Sequence, residues 1–154
     1  MEEMNERRIR NSAKALIVRD GRIAAIRIRH EGREWFIMPG GGQEPGETLA
    51  EAVVREVREE LGLLVEPREL LLVAEGPHRE RFHRVDHVFL CTLVGEAAEG
   101  ATHSDTDQAG VEWLEVARLD TLPLYPLPLR REIMRFCAGE PHCTYLGNTE
   151  GREE

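Results

Sequence analysis

Residues 41–63 read GGQEPGETLAEAVVREVREELGL, and this stretch decides how the chain folds. Residues 39–42 are a proline followed by three glycines, which permit positive φ and a close approach of the backbone to a ligand. Thr48 and Glu51 have the spacing of a capping box, so a helix is predicted to begin at Thr48. Apolar residues recur at every fourth position after it, and Gly62 is the residue type that ends a helix. The stretch therefore predicts a glycine-rich turn that leads into an amphipathic helix.

The polar face of this helix carries a cluster of carboxylates. Glu56, Glu59 and Glu60 share one face, where their like charges repel. Arg55, one turn before Glu59, offsets part of the repulsion, and a divalent cation would offset more. Mg²⁺ takes oxygen ligands and binds one or two carboxylates together with substrate phosphates. A solvated charged face is the alternative in a chain with 32% charged residues, so these residues alone leave both interpretations open.

The spacing of these residues along the chain favours the metal-binding interpretation over a solvated charged face. Gly41, then Glu47, then REVREELGL at 55–63 match the pattern G-x5-E-x7-R-E-U-x-E-E-x-G-U, in which U is apolar. Seven of these positions require one residue type each. At roughly 7% usage per type, a chance match is on the order of 10⁻⁸ per starting point. The chain therefore resembles the Nudix hydrolases, whose defining motif is this box, and a weaker resemblance extends over most of its length.

Alternating apolar patterns predict the strands that surround the box. The predicted elements are strands at 13–18, 22–28, 35–38, 69–75, 85–94 and 111–114, a hairpin turn at Asp20–Gly21, a connector at 65–68, and a C-terminal helix at 129–138. Residues 122–129 are too rich in proline for a helix or a central strand and predict a packed crossover. We expect one domain over residues 1–154, with loose tails at 1–8 and 148–154. By resemblance the fold is α/β, a Nudix-type α/β/α sandwich with a mixed β-sheet between helices and a loop–helix–loop motif.

Composition limits the partners of the protein. The net charge of −9 disfavours binding to a nucleic-acid duplex, which requires stripes of lysine and arginine, and it suits a site that recruits cations. The three cysteines form no CxxC pair, and with the absence of a signal peptide they predict a reducing, cytoplasmic location. No apolar run is long enough to cross a membrane. We expect a monomer or a homodimer that acts on a small molecule.

The resemblance to Nudix hydrolases assigns roles to the box residues and implies Mg²⁺ as the cofactor, for which Mn²⁺ can substitute. Glu59 is implied as a metal ligand or as the general base, and Glu47 as a support of the loop or a ligand of a second metal. Asp107 corresponds to an acid that some members take from a late loop, and Asp105 and Glu99 compete with it for this role. Arg55 is implied to orient the carboxylates. The implied catalytic residues are Arg55, Glu56, Glu59 and Glu60. The implied metal ligands are Glu56, Glu59, Glu60, the Gly40 carbonyl, Glu47 and Asp107.

Hydrolases of this family cut a nucleoside diphosphate linked to a further group X. In this acidic chain the basic residues concentrate at 78–87, and we predict that Arg81, His83 and His87 hold substrate phosphates. The alternative is that they are solvated loop residues with a histidine at a strand end. Trp35 stacks on a base or, alternatively, lies in the core or at its rim. X remains open among a nucleoside triphosphate (oxidised or not), ADP-ribose, a dinucleoside polyphosphate and a nucleotide sugar.

A second class of function is a module that binds nucleotides or regulates without catalysis. Such modules typically lose glutamates of the box. This chain keeps all of them, so the sequence favours an enzyme that hydrolyses a phosphoanhydride bond.

Overall fold

A computed structural model describes residues 8–77, 82–102 and 108–151. The strands are β1 (Ile9–Arg19), β2 (Arg22–His30), β3 (Arg33–Ile37), β4 (Gly40–Gly42), β5 (Leu63–Gly76), β6 (His83–Glu96), β7 (Gln108–Glu115), β8 (Leu124–Tyr125) and β9 (Tyr145–Asn148). The helices are α1 (Leu49–Leu61), a 3₁₀ helix (Val116–Thr121) and α2 (Pro128–Cys137). Among the residues described, no helix has the length and apolar character needed to span a membrane. The chain is thus an α/β protein, as its resemblance to Nudix hydrolases implies.

The strands form one mixed sheet that divides at β1. Near its C-terminal end β1 pairs with β2 in the predicted hairpin, with Val18 opposite Ile23. β2 then continues with β3 and β7, away from β1. Closer to its start, β1 pairs with β4 on one edge and runs parallel to β6 on the other. The glycine strand β4 therefore lies in the fork that opens where β1 and β2 part, and it delivers the chain into α1.

Helices cover both faces of the sheet. The side chains of a strand alternate between its two faces, and β1 is buried on both of them. On one face, Ala13, Ala15 and Ile17 of β1 form a core with Ala52, Val53 and Val57 of α1. On the other face, Leu16 of β1 forms a core with Leu119 of the 3₁₀ helix and with Leu129 and Ile133 of α2. The α/β/α sandwich with a mixed sheet is confirmed.

The ends of α1 follow the sequence signals. The Thr48 hydroxyl accepts a hydrogen bond from the Glu51 N–H (3.0 Å), and the Glu51 carboxylate accepts one from the Thr48 N–H (2.8 Å). These two bonds are the predicted capping box. Gly62 ends the helix with a left-handed φ of 70°, and its N–H donates to the Arg58 carbonyl at 3.0 Å. The helix therefore occupies the range that its own residues specify.

The connector predicted at 65–68 is wrong, because β5 begins at Leu63 and passes through it. Pro67 pairs with Cys91 of β6, and the register shifts before the next pair at Leu70. Proline lacks an N–H, so within a sheet it is confined to edges and bulges. The irregular register accommodates Pro67 without ending the strand. A pattern of apolar residues does not reveal such a shift in register.

The sheet includes more of the C-terminal segment than the sequence predicted. The sequence placed a loose tail from residue 148, whereas Asn148 ends β9 and pairs with Glu75 of β5. Thr149 is buried, and both its N–H and its hydroxyl donate to the Glu75 carbonyl, at 2.9 and 3.1 Å. Residues 1–7 and 152–154, which hold most of the two predicted tails, lie outside the described residues.

The proline-rich stretch 122–129 is a packed crossover, as predicted. Leu124 is fully buried and belongs to β8, which pairs parallel with Phe36 and Ile37 of β3. β8 lies at the end of the sheet, where a strand needs only one partner. Pro128 opens α2, where its missing N–H costs nothing.

Candidate active site

The glycines of β4 bring the backbone into contact with β1 and α1. Gly40 has φ of 136°, and a Cβ on it would lie 2.1 Å from the carbonyl oxygen of Ala13. A Cβ on Gly41 would lie 2.3 Å from Oε1 of Glu56. Both distances are far below contact, so a side chain at either position would displace a neighbour. The absence of side chains thus lets β4 approach the backbone of β1 at Gly40 and lets the Glu56 carboxylate lie directly against the backbone at Gly41.

A single guanidinium, that of Arg55, connects the loop before α1 to the carboxylates on it. Nε and Nη2 donate to the two oxygens of Glu47, at 2.8 and 2.7 Å, in a bidentate pair. Nη2 also donates to the Gly42 carbonyl at 3.1 Å. Nη1 donates to Oε2 of Glu56 at 3.2 Å and to Oε1 of Glu59 at 3.3 Å. The side-chain positions of Glu56 and Glu59 are thus tied to the loop through one residue.

The pairing of Glu47 and Arg55 fixes both charges. Hydrogen bonds from the Arg55 side chain, with a further one from the Glu44 N–H, lower the pKa of Glu47 from 4.5 to about 2. The bond to Glu47 raises the pKa of Arg55 in turn. Because both oxygens of Glu47 already accept hydrogen bonds from Arg55 and one also accepts from the loop, the contacts favour its predicted role as a support of the loop over its alternative role as a metal ligand.

Glu60 has a separate environment. Its Oε1 accepts a hydrogen bond from the Gly40 N–H at 2.9 Å, and its Oε2 accepts one from the Gln108 side chain at 3.1 Å. Burial raises the pKa of Glu60, against the opposing effects of the Gly40 N–H, the Lys14 charge and the Gln108 amide. Sequence reasoning missed both Lys14 and Gln108. Gln108 directly follows Asp107, which lies outside the described residues, so sequence reasoning pointed to this segment but not to this contact.

The two histidines predicted to bind phosphates are engaged elsewhere. Nε2 of His83 lies 2.7 Å from Oε1 of Glu75, whose other oxygen accepts a hydrogen bond from the Tyr145 hydroxyl. Nδ1 of His87 lies 3.1 Å from the Ser12 carbonyl oxygen. Neither of these contacts is with a carboxylate of α1, although His87 pairs in register with Ala13 and so lies on the face of the sheet that α1 covers. Their role in binding phosphate stays a prediction, and Arg81 lies outside the described residues.

Trp35 is a half-buried residue of β3. It pairs with Ile28 of β2, and the Arg33 guanidinium lies over its ring, 5.5 Å from the centroid. A half-buried side chain at this position is compatible with both alternatives that the sequence left open. Base stacking by Trp35 remains a prediction.

A cleft that the sequence did not indicate runs along the loop before α1. Its volume is about 730 Å³. One wall is the start of β1 with Phe82, and the other is the loop at 43–47. The Arg10 guanidinium lies over the Phe82 ring, 5.2 Å from its centroid. The cleft therefore places Arg10 and the Phe82 ring beside the loop at 43–47, which binds the Arg55 side chain.

Comparison with known families decides the assignment of the chain. The family model of the NUDIX domain matches residues 8–136, a range that includes the glycine turn, α1 and α2 up to Phe136. The chain belongs to the Nudix family.

Relatives of the chain include proteins with named activities. An ADP-ribose pyrophosphatase of Methanocaldococcus jannaschii is 32% identical over 126 residues, which cover 80% of this chain and 72% of that protein. An 8-oxo-dGDP phosphatase, NUDT18 of Homo sapiens, is 38% identical over 103 residues, which cover 66% of this chain and 28% of that protein. An uncharacterized Nudix hydrolase of Bacillus subtilis, YvcI, is 30% identical over 94 residues, which cover 61% of this chain and 60% of that protein. The chain thus spans less than two thirds of the last two relatives.

Solved structures of other proteins share the fold. A Nudix hydrolase from Nitrosomonas europaea superposes with a TM-score of 0.71 at 19% identity, covering 88% of this chain and 93% of that one. The ORF135 protein of E. coli superposes with a TM-score of 0.67 at 24% identity, covering 91% of this chain and 99% of that one. At these identities the likeness concerns the fold.

The carboxylates of the Nudix box fit a divalent cation by their chemistry. Glu56, Glu59 and Glu60 supply the oxygen ligands that hard cations prefer, and Gly41 leaves open the space beside the Glu56 carboxylate that a Cβ would fill. In the described ranges, no three His, Cys, Asp or Glu side chains converge on one point that could hold a metal ion. Glu56 and Glu59 contact Arg55, whereas Glu60 contacts Gly40. Asp105 and Asp107 lie outside those ranges.

Proposed function

We propose that this Nudix protein hydrolyses a phosphoanhydride bond in a nucleoside diphosphate linked to another group, with Mg²⁺ as the cofactor. The observation that carries the proposal is the network of Arg55 with Glu47, Glu56, Glu59 and the glycine turn. It joins four of the seven fixed residues of the motif, Arg55, Glu47, Glu56 and Glu59. Non-catalytic modules of this fold typically lose glutamates of the box, whereas this chain keeps all of them.

The reaction requires positive charge, because anionic phosphate oxygens repel an incoming hydroxide. When bound, Mg²⁺ neutralises phosphate charge, orients the substrate and lowers the pKa of a bound water. Glu56 and Glu60 are the residues that we propose to hold it, with the Gly40 carbonyl as a further ligand. A site of this kind suits an acidic protein, since the cation rather than the protein attracts the anionic substrate.

The residues of the chain position the groups that react. Arg55 fixes the Glu56 and Glu59 carboxylates relative to the glycine turn, and Gly40 fixes Glu60 through its N–H. The Glu59 side chain is 37% exposed, whereas that of Glu56 is 16% exposed. Glu59 is therefore accessible to water, and we assign it the role of general base. It accepts the proton that the attacking water loses as the new bond to phosphorus forms and the anhydride bond breaks.

The relatives suggest which substrates to examine first. The M. jannaschii relative is named an ADP-ribose pyrophosphatase and the human relative an 8-oxo-dGDP phosphatase. Both names describe a nucleoside diphosphate, one with a sugar attached and one with an oxidised base. We therefore place ADP-ribose and oxidised deoxynucleoside di- and triphosphates first among the candidate substrates.

A panel assay tests the proposal. The purified protein is incubated with ADP-ribose, 8-oxo-dGDP, 8-oxo-dGTP, the ordinary nucleoside triphosphates, a dinucleoside polyphosphate and a nucleotide sugar, with Mg²⁺ or with a chelator. We expect at least one member to be cut at an anhydride bond, to give a nucleoside monophosphate, only when Mg²⁺ is present. Nucleotide binding without turnover of any member would instead support the alternative of a non-catalytic module.

A further inference from the structure

The cleft along the loop at 43–47 has the size and chemistry of a site for a nucleoside. Ligand pockets for small molecules are typically about 300–1,000 Å³, and the volume of this cleft, about 730 Å³, falls in that range. Asn11 and Gln43 on its walls carry amide groups, which can donate to or accept from the edge of a base. The cleft is therefore large enough and polar enough for a base and its sugar.

The wall opposite the loop is suited to a flat, anion-bearing group. The Arg10 guanidinium and the Phe82 ring lie 5.2 Å apart, centre to centre, and Arg8 lines the same wall. Aromatic rings and arginine planes are the surfaces on which proteins stack unpaired bases. The wall thus combines a stacking surface with positive charge, in a chain whose net charge is −9.

The acidic residues of the facing wall are partly compensated by Arg55. Glu47 forms the bidentate pair with Arg55. Glu44 lies 3.9 Å from Nε of the same arginine. Because both carboxylates face a permanent positive charge, they oppose an anionic ligand less than two unpaired glutamates would.

Contacts through Gly42 connect the cleft to the carboxylates of the box. A Cβ on Gly42 would lie 2.4 Å from Nη2 of Arg10, so the Arg10 guanidinium lies against this backbone. The Gly42 carbonyl accepts a hydrogen bond from Arg55, which also contacts Glu56 and Glu59. A nucleotide with its diphosphate at the box can therefore extend its base along the loop toward Phe82.

We propose that this cleft binds the base of the nucleotide substrate, which stacks against Phe82 and the Arg10 guanidinium. The inference rests on the proposed function, because it adds the base subsite to the same reaction. It assigns recognition of the nucleoside to Phe82 and Arg10, neither of which belongs to the box. Two other arginine–aromatic pairs, Arg19 over Trp113 and Arg33 over Trp35, lie on the hairpin side of the sheet and serve as comparisons.

Calorimetric titration of the full chain without turnover tests the proposal. The probes are the nucleoside 5′-monophosphates of adenine, guanine, cytosine and uracil, with ribose 5-phosphate as the control that lacks a base. We expect at least one monophosphate to bind more tightly than ribose 5-phosphate. Phe82→Leu, which keeps apolar volume, should weaken that binding roughly 10-fold, the size of one stacking contact. Phe82→Tyr should retain it, and so should the control Arg19→Ala.

Each contrary result has a defined meaning. Wild-type affinity in Phe82→Leu for all four monophosphates would overturn the proposal, as would equal binding of ribose 5-phosphate and the nucleotides. If Trp35→Leu rather than Phe82→Leu weakens nucleotide binding, the base binds at β3 and the proposal is also overturned. Amide NMR shifts measured on the wild type with the tightest monophosphate need no variant to fold. They should centre on Asn11, Gly42 and Gly46, and shifts centred on Trp35 would contradict the proposal.

The two proposals fail separately. If the panel assay shows hydrolysis while Phe82→Leu binds and turns over nucleotides as the wild type does, the base subsite is wrong and the reaction stands. If no nucleotide is hydrolysed while base-dependent binding is lost in Phe82→Leu, the cleft is a nucleotide site and the proposed reaction is wrong.

Discussion

Arg55 contacts two carboxylates of α1 and two groups of the preceding loop, and it does so with a planar guanidinium. A lysine at this position keeps one positive charge but lacks the fork that matches the Glu47 carboxylate. The arrangement of the site at the residue scale therefore depends on the shape of Arg55 as well as on its charge.

We predict that Arg55→Lys lowers kcat on the order of 100-fold, since a displacement of about 1 Å at a catalytic group costs that much. Arg58→Lys on the same helix is the matched control, because Arg58 is exposed and pairs with Glu99, outside the box. Steady-state kinetics on the substrate found by the panel assay measure both variants. Equal losses in Arg55→Lys and Arg58→Lys would show that the loss does not come from the Arg55 network.

The residue scale also shows what the sequence could predict about the site. The motif specified Arg55 and the three glutamates of the helix, because their spacing is local and the helix follows directly from it. It did not specify Gln108, whose contact with Glu60 joins positions 48 residues apart. Such a contact depends on how β7 is placed by the sheet, and no local pattern encodes that placement.

At the scale of elements, β9 is attached to β5 through Glu75. Its carboxylate accepts hydrogen bonds from Tyr145 of β9 and interacts with His83 of β6. The bond from Tyr145, with that from His83, lowers the pKa of Glu75 below its ordinary value of 4.5. A carboxyl group with a lowered pKa in the folded state contributes stability that is present above pH 4.5 and is lost as the pH falls below it.

We therefore expect Glu75→Gln to be less stable than the wild type at neutral pH, and the difference to shrink as the pH falls below 4.5. Thermal unfolding followed by circular dichroism between neutral and acidic pH measures this difference. The control is Glu69→Gln, an exposed glutamate on the same strand. A difference between Glu75→Gln and the wild type that is independent of pH would contradict the account of this attachment.

The elements themselves differ in how well they could be predicted. The capping box at Thr48 and the left-handed Gly62 fixed α1 within its observed range, because both signals act within one turn of helix. The strand β5 was predicted too short, since Pro67 reads as a break unless the bulge that accommodates it is known. Boundaries that depend on pairing with a distant strand are thus the ones that the sequence left imprecise.

At the scale of the whole molecule, the fork of the sheet explains where the site lies. β1 and β2 separate after two residue pairs, and β4 enters the gap and brings the glycines against β1. The same arrangement places the start of β1 beside the loop at 43–47, which forms the cleft with Arg10 and Phe82. The motif gave no sign of this cleft, because its two walls come from segments that are distant along the chain.

The central claim is that the carboxylates of α1 carry out a metal-dependent hydrolysis. The most direct test compares kcat of Glu59→Gln and of the control Glu69→Gln with that of the wild type, at saturating Mg²⁺ and on the same substrate. A general base contributes roughly 10²–10⁴-fold to the rate, so the account predicts a loss of that size in Glu59→Gln and none in Glu69→Gln. Turnover by Glu59→Gln at the rate of the wild type, with its dependence on Mg²⁺ unchanged, would contradict it.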